Sequence, residues 1–170
     1  NTLWLAADAK NLYWIQAGHL NYLTLGMSTQ DGEGSHTISR LGLGTGGLAV
    51  SDGHVYWSTE RGYGRVKTDG SGLERNFMTL PAGHGRVAEG FAIADGNVYF
   101  SDCAGRRMGR VALRGGPASS VEWLMDTGKF VCPTGVTVGG GHLYWWDHER
   151  GTVSQATTDG EVVNSRWLKI

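Results

Sequence analysis

The chain has 170 residues, enough for one compact domain, and its 15 basic and 16 acidic residues give a formal charge of −1. That balance lends no electrostatic support to nucleic-acid or membrane-surface binding, and no apolar run approaches the roughly 20 residues a membrane helix needs. With 28 glycines, 3 prolines and 7 tryptophans, the composition points to many tight turns between aromatic strands, since disordered chains lack such aromatics.

No sustained apolar series at helical spacing occurs. The chain instead breaks into short β-branched and aromatic runs separated by Gly and Asp-Gly, which are strand and hairpin signals. The first repeat reads as strands at Leu5-Ala6-Ala7, Asn11 to Ile15, an irregular Tyr22 to Leu25 and Thr37 to Leu41, with an Asp31-Gly32 turn. The second has Leu48-Ala49-Val50, a Ser51-Asp52-Gly53 turn, His54 to Ser58, a polar loop from Thr59 to Tyr63, Gly64 to Thr68, an Asp69-to-Gly72 turn and Glu74 to Leu80. The third gives Phe91 to Ile93, Asn97 to Ser101, Gly109 to Leu113, a Gly115-Gly116 turn and Ser120 to Met125. The fourth gives Val136 to Val138, His142 to Trp146, Thr152 to Ala156, an Asp159-Gly160 turn and Asn164 to Lys169.

Tyr13, Tyr56, Tyr99 and Tyr144 mark the same point in each unit and lie roughly 43–45 residues apart, a period that means one supersecondary unit repeated. Four short antiparallel strands per unit predict an all-β fold: a β-propeller of four four-stranded blades, a single domain over 1–170 with repeats at about 1–42, 43–90, 91–134 and 135–170. A β-sandwich does not demand a constant period. Three closures stay open: a closed four-blade ring, part of a larger propeller, or an open array completed by another chain. An open array leaves apolar end faces exposed, and Trp4 and Trp167 are candidates to cover them. The start at Asn1, with no methionine and no visible signal peptide, fits a removed leader or a longer parent.

Pro133 to Val138, Leu143-Tyr144-Trp145-Trp146-Asp147, Gly151-Thr152-Val153 and Asp159-Gly160 resemble the YWTD repeat of low-density-lipoprotein-receptor-type propellers. Tyr56-Trp57-Ser58, Gly64-Arg65-Val66 and Asp69-Gly70 match as well. Bacterial propellers such as the streptogramin B lyases share the general look. The Thr-Asp pair of the motif is Ile15-Gln16, Ser58-Thr59, Ser101-Asp102 and Trp146-Asp147 in the four repeats. Blade-to-blade bonding through the Asp is therefore not expected in the first two.

In a propeller the second-to-third-strand loops share one face with the blade connections. That face receives His19, Glu60, Arg61, Tyr63, Asp102, Arg106, Arg107, Asp147, His148, Glu149 and Arg150, with His84, Arg86, Glu89 and Lys129 on the connections. It is the expected working surface, with Glu60, Arg61, Tyr63, Arg106, Asp147, His148, Glu149 and Arg150 as binding residues. His54 and His142 read as hairpin residues on the opposite face. Cys103 and Cys132 fall near one another on the first face, and a disulfide between them implies a secreted protein.

His19, His84, His148, Glu89, Asp102 and Asp147 show no recognisable ligand spacing, so no metal and no cofactor is expected. Asp69 to Glu74 reads as a hairpin turn rather than a calcium loop, and neither a phosphate loop nor a nucleophile elbow is present. The expected function is a non-catalytic module binding a protein or carbohydrate, without nucleic acid or membrane insertion. Two alternatives stand beside it. One is a lyase or hydrolase using His148 and Glu149 as base and acid, which the lyase resemblance implies. The other is a structural module completing a propeller with another copy or chain.

Overall fold

The computed structural model describes residues 2–18, 22–42, 44–80, 90–114, 121–127, 133–147 and 150–170. They form sixteen strands and no helix among the described residues. The first blade holds β1 (Thr2–Ala7), β2 (Asn11–Ala17), β3 (Leu23–Thr29) and β4 (His36–Leu41). The second holds β5 (Gly46–Ser51), β6 (His54–Thr59), β7 (Gly62–Lys67) and β8 (Glu74–Thr79). The third holds β9 (Phe91–Ala94), β10 (Asn97–Asp102), β11 (Arg107–Ala112) and β12 (Glu122–Asp126). The fourth holds β13 (Pro133–Gly139), β14 (His142–Asp147), β15 (Thr152–Thr157) and β16 (Val162–Lys169). Each blade is one antiparallel sheet whose strands pair in chain order, and the four make a β-propeller.

The turns follow from local chemistry. Asp52-Gly53, Asp95-Gly96 and Gly140-Gly141 all have positive φ at both residues, between 47° and 74°. This is the two-residue hairpin whose twist matches the flanking strands. The first blade reaches the same bend differently: the Asp8 carboxylate accepts the N–H groups of Lys10 and Asn11, both at 2.8 Å. The second-blade loop expected from Thr59 to Tyr63 is in fact a two-residue turn, Glu60-Arg61, and Tyr63 belongs to β7. Gly115-Gly116 lies outside the described residues.

The aromatics on the second strands fill the seams between blades. Tyr13, Ile15 and Leu25 pack against Val55, Trp57 and Val66 at the first seam. Tyr56, Tyr63 and Met78 meet Phe91, Phe100 and Val111 at the second. Tyr99 and Met108 meet Leu143, Trp145 and Ala156 at the third. Each ring needs room on its own sheet. Trp57 stands opposite Gly64 in the ladder, and a Cβ on Gly64 would come within 2.4 Å of its indole. Trp14 opposite Gly26 and Phe100 opposite Gly109 repeat the device, whereas Trp145 faces Ser154. The glycine lets the flat ring lie on the backbone, where it buries more apolar area.

The innermost strands follow one another, β1 on β5, β5 on β9 and β9 on β13; β13 and β1 do not pack on each other to a comparable extent among the described residues. One face of each end blade is accordingly open. Leu12 and Trp14 are half-buried, although their equivalents Val55, Trp57, Val98, Phe100, Leu143 and Trp145 are buried. Leu5 beside them is 65% exposed. On the other end blade Tyr144 is half-buried, whereas Tyr13, Tyr56 and Tyr99 are buried. Trp167 covers part of that face, its ring 5.2 Å from that of Tyr144, while staying 51% exposed. Trp4 does not share this role: it turns inward and packs on the first seam, leaving Leu3 and Leu5 outside.

Candidate functional site

The face bearing the second-to-third-strand turns is built on buried strand ends. In the third blade Asp102 is 1% exposed; its carboxylate accepts the Gly105 N–H at 2.8 Å and the Arg107 Nε–H at 3.0 Å. Arg107 in turn lies 3.6 Å over the Trp123 ring. In the fourth blade Asp147 is fully buried, accepts the Arg150 N–H at 3.2 Å and has the Arg150 Nη1 at 3.6 Å. Both aspartates take the N–H three residues ahead, so each carboxylate shapes its own turn. Thr59 holds this position in the second blade and accepts the Arg61 N–H through its hydroxyl at 3.3 Å. Gln16 holds it in the first, one residue before the end of β2.

These turns lift a few side chains into solvent. Glu60 and Arg61 are exposed, and the Arg61 carbonyl is fixed by the Leu80 N–H at 2.8 Å. Arg106 is exposed at φ 52°, a left-handed conformation that a side chain seldom takes, between the Cys103 carbonyl and the Thr127 N–H. Arg150 is half-buried. Two of the expected contact residues do not reach the surface. Tyr63 is 1% exposed, with its ring edge-on to Phe91 at 5.0 Å. Its hydroxyl is buried without a hydrogen-bond partner among the described residues, and burial pushes its pKa well above the ordinary value near 10. Asp147 is committed to its turn. His148 and Glu149 lie outside the described residues, as do His19, His84, Arg86, Glu89, Lys129 and Cys132. No described cysteine is a free thiol; Cys103 sits in the β10–β11 turn.

No group of three or more histidine, cysteine or carboxylate side chains that can hold a metal ion occurs among the described residues. No helix of the described residues is long and apolar enough to cross a membrane.

The opposite face carries a feature the sequence reading passed over. A cavity of about 560 Å³ opens between the second and third blades, lined by Asp52, His54, Tyr56, Arg65, Asp95, Asn97 and Arg114 among others. His54 does act as a hairpin residue, its Nδ1–H donating to the Asp52 carbonyl at 2.9 Å, and His142 repeats this on Gly140. In His54 that bond leaves Nε2 as the other ring nitrogen of a residue lining the cavity. The visible signal was a break in the third-to-fourth-strand turns. Thr68-Asp69 and Thr158-Asp159 stand in the second and fourth blades, but Leu113-Arg114 in the third.

No protein-family model and no curated protein matches the chain. Solved structures do. A nidogen/laminin complex superposes with a TM-score of 0.72 at 16% identity, covering 95% of this chain and 62% of that one. A gluconolactonase from Xanthomonas campestris gives 0.72 at 18%, covering 97% and 61%. Virginiamycin B lyase from Staphylococcus aureus gives 0.67 at 18%, covering 99% and 55%. These likenesses establish the propeller fold and include the kinds of propeller that the Tyr-Trp repeats resemble. The chain spans roughly three fifths of the length of these proteins.

Proposed function

We propose that the chain is a non-catalytic binding or scaffolding module that recognises a protein or a carbohydrate through the face bearing the second-to-third-strand turns. The observation that carries this reading is the display of Glu60, Arg61 and Arg106 as exposed side chains on turns anchored in buried strands. Arginine on a rigid turn offers planar, multidentate contact at low ordering cost. The likeness to a nidogen in complex with laminin supports a protein partner. The proposal includes secretion and a Cys103–Cys132 bridge, supported by the absence of a free thiol at Cys103. An immobilised chain screened against extracellular proteins and a glycan array tests it. A ligand should bind, and the Arg61→Ala, Arg106→Ala double variant should bind at least about tenfold more weakly. A substrate turned over by the chain, with turnover abolished in His148→Ala, Glu149→Ala, overturns it in favour of a lyase or hydrolase.

A second reading, a structural module completed by another copy or chain, is favoured by Leu5, Leu12 and Trp14 on one end face and Tyr144 on the other. Those two faces are the two halves of the interior seams, so each fits a blade of the same kind. Sedimentation equilibrium decides this reading: concentration-dependent association that Trp14→Asp abolishes supports it, and a monomer at every concentration overturns it.

A further inference from the structure

The second and third seams are built from the same parts and end differently. At the third seam Arg110 stands opposite Tyr99 and Glu122 in the ladder. It gives Nε and Nη2 to Glu122 at 2.8 and 3.2 Å. Its Nη1 crosses to the next blade, donating to the Thr158 carbonyl at 3.2 Å and to the Asp159 carboxylate at 3.0 Å. At the second seam Arg65 stands opposite Tyr56 and Glu74. Its Nε and Nη2 both lie 2.7 Å from the Glu74 carboxylate, and its guanidinium covers the Phe77 ring at 3.8 Å. No bond crosses the seam from it among the described residues.

The reason is one residue. Leu113 and Thr158 are equivalent, since their N–H groups bond the Gly96 and Gly141 carbonyls of matching hairpins at 2.8 and 3.2 Å. The residue that follows is Asp159 in the fourth blade and Arg114 in the third. An internal carboxylate is thereby exchanged for a second guanidinium, and the 560 Å³ cavity lies where the cross-seam clamp would be.

We propose that this cavity is a carboxylate-binding site, in which a ligand carboxylate bridges Arg65 and Arg114 as the Asp159 carboxylate meets Arg110 at the neighbouring seam. Arg65 is held in place by Glu74 and Phe77, so its guanidinium is pre-oriented, with Nη1 as the nitrogen equivalent to the one Arg110 gives to Asp159, and little freedom is lost on binding. Its side chain is 26% exposed, and partial desolvation strengthens a charged hydrogen bond there. His54 and Asn97 add polar groups to the wall. Asp52 and Asp95 also line the cavity, both exposed at hairpin tips. They repel polyanions and favour a ligand whose negative charge is a single small group. The site lies on the face opposite the turns of the proposed binding surface and is independent of that reading.

The test is a titration of the isotope-labelled chain followed by NMR at Gly96, Asn97 and the His54 ring. Two probes separate the sources of a carboxylate: propionate for a free metabolite, and an end-capped Gly-Glu-Gly peptide for a side chain on a partner, with Gly-Gln-Gly as the neutral control. Saturable shifts with either charged probe and none with the control support the site, and the probe that binds identifies the source. Arg65→Gln should weaken binding at least about tenfold. Arg114→Asp restores the internal clamp and should abolish binding while keeping or raising the melting temperature. Absence of shifts with both charged probes at about 20 mM overturns the proposal. So does undiminished binding by both variants.

Discussion

Trp57 and Trp14 occupy the same position in successive blades, each lying on a third-strand glycine, yet one is buried and the other half-buried. Nothing in their own sheets explains the difference. Trp57 has the first blade's Tyr13 and Leu25 against it, whereas Trp14 faces outward from an end blade. The contrast teaches that the Tyr-Trp unit is one half of a seam. A blade acquires a core only from its neighbour, and a repeat's stability contribution depends on whether both its faces are covered.

Four substitutions test that contrast. Trp57→Ala should cost about 3–5 kcal/mol by the usual toll of large-to-small core changes, read as a lower urea midpoint. Gly64→Ala should cost about 1–3 kcal/mol in the same assay, because its methyl must push the Trp57 ring off the sheet. Trp14→Ala should cost no more than about 1–2 kcal/mol, since its ring is only half-buried and has no neighbouring blade on its outer side. Equal losses at Trp14 and Trp57 would sink the half-seam account. The smallest effect belongs to Tyr63→Phe, which removes a buried hydroxyl with no partner among the described residues and should change stability at neutral pH by less than about 1 kcal/mol, with gain the expected sign.

The same substitution has a pH signature. Burial raises the Tyr63 pKa in the folded chain, so the phenol's contribution is fully present below the unfolded value near 10. It is lost as pH rises beyond that value, because the unfolded chain releases the proton first. Wild type should therefore lose stability above pH 10 more steeply than Tyr63→Phe. Parallel alkaline limbs would show that Tyr63 is not the buried group responsible.

The architecture was legible in the sequence because its signals are local and repeated. Asp-Gly at the hairpins and a Tyr followed by a second aromatic in each second strand recur at one period, and each copy corroborates the others. Strand ends were less legible. Tyr63 looked like a loop residue beside Glu60, Arg61 and Gly62, but a turn of only two residues returned it to the ladder and the core. Trp4 read as a cover for an end face because it lies near the terminus; strand alternation turned it inward and put Leu3 and Leu5 outside. Asp102 and Asp147 stood out as charges after the aromatic motif, and their roles as turn acceptors follow only from backbone geometry. The seam cavity depends on comparing Arg114 with Asp159, positions that are unremarkable until the two turns are superposed.

Every sheet pairs its strands strictly in chain order, and among the described residues no strand pairs with one from another blade. The strand pairings within a blade therefore need only short loop closures, and a blade becomes stable once it can dock on a neighbour that completes its core. Growth of the array is then the sequential laying of one formed unit on the last, and opening runs in reverse from the two ends. Amide hydrogen exchange should accordingly be slowest in β6 and β10 and fastest in β1 and β16.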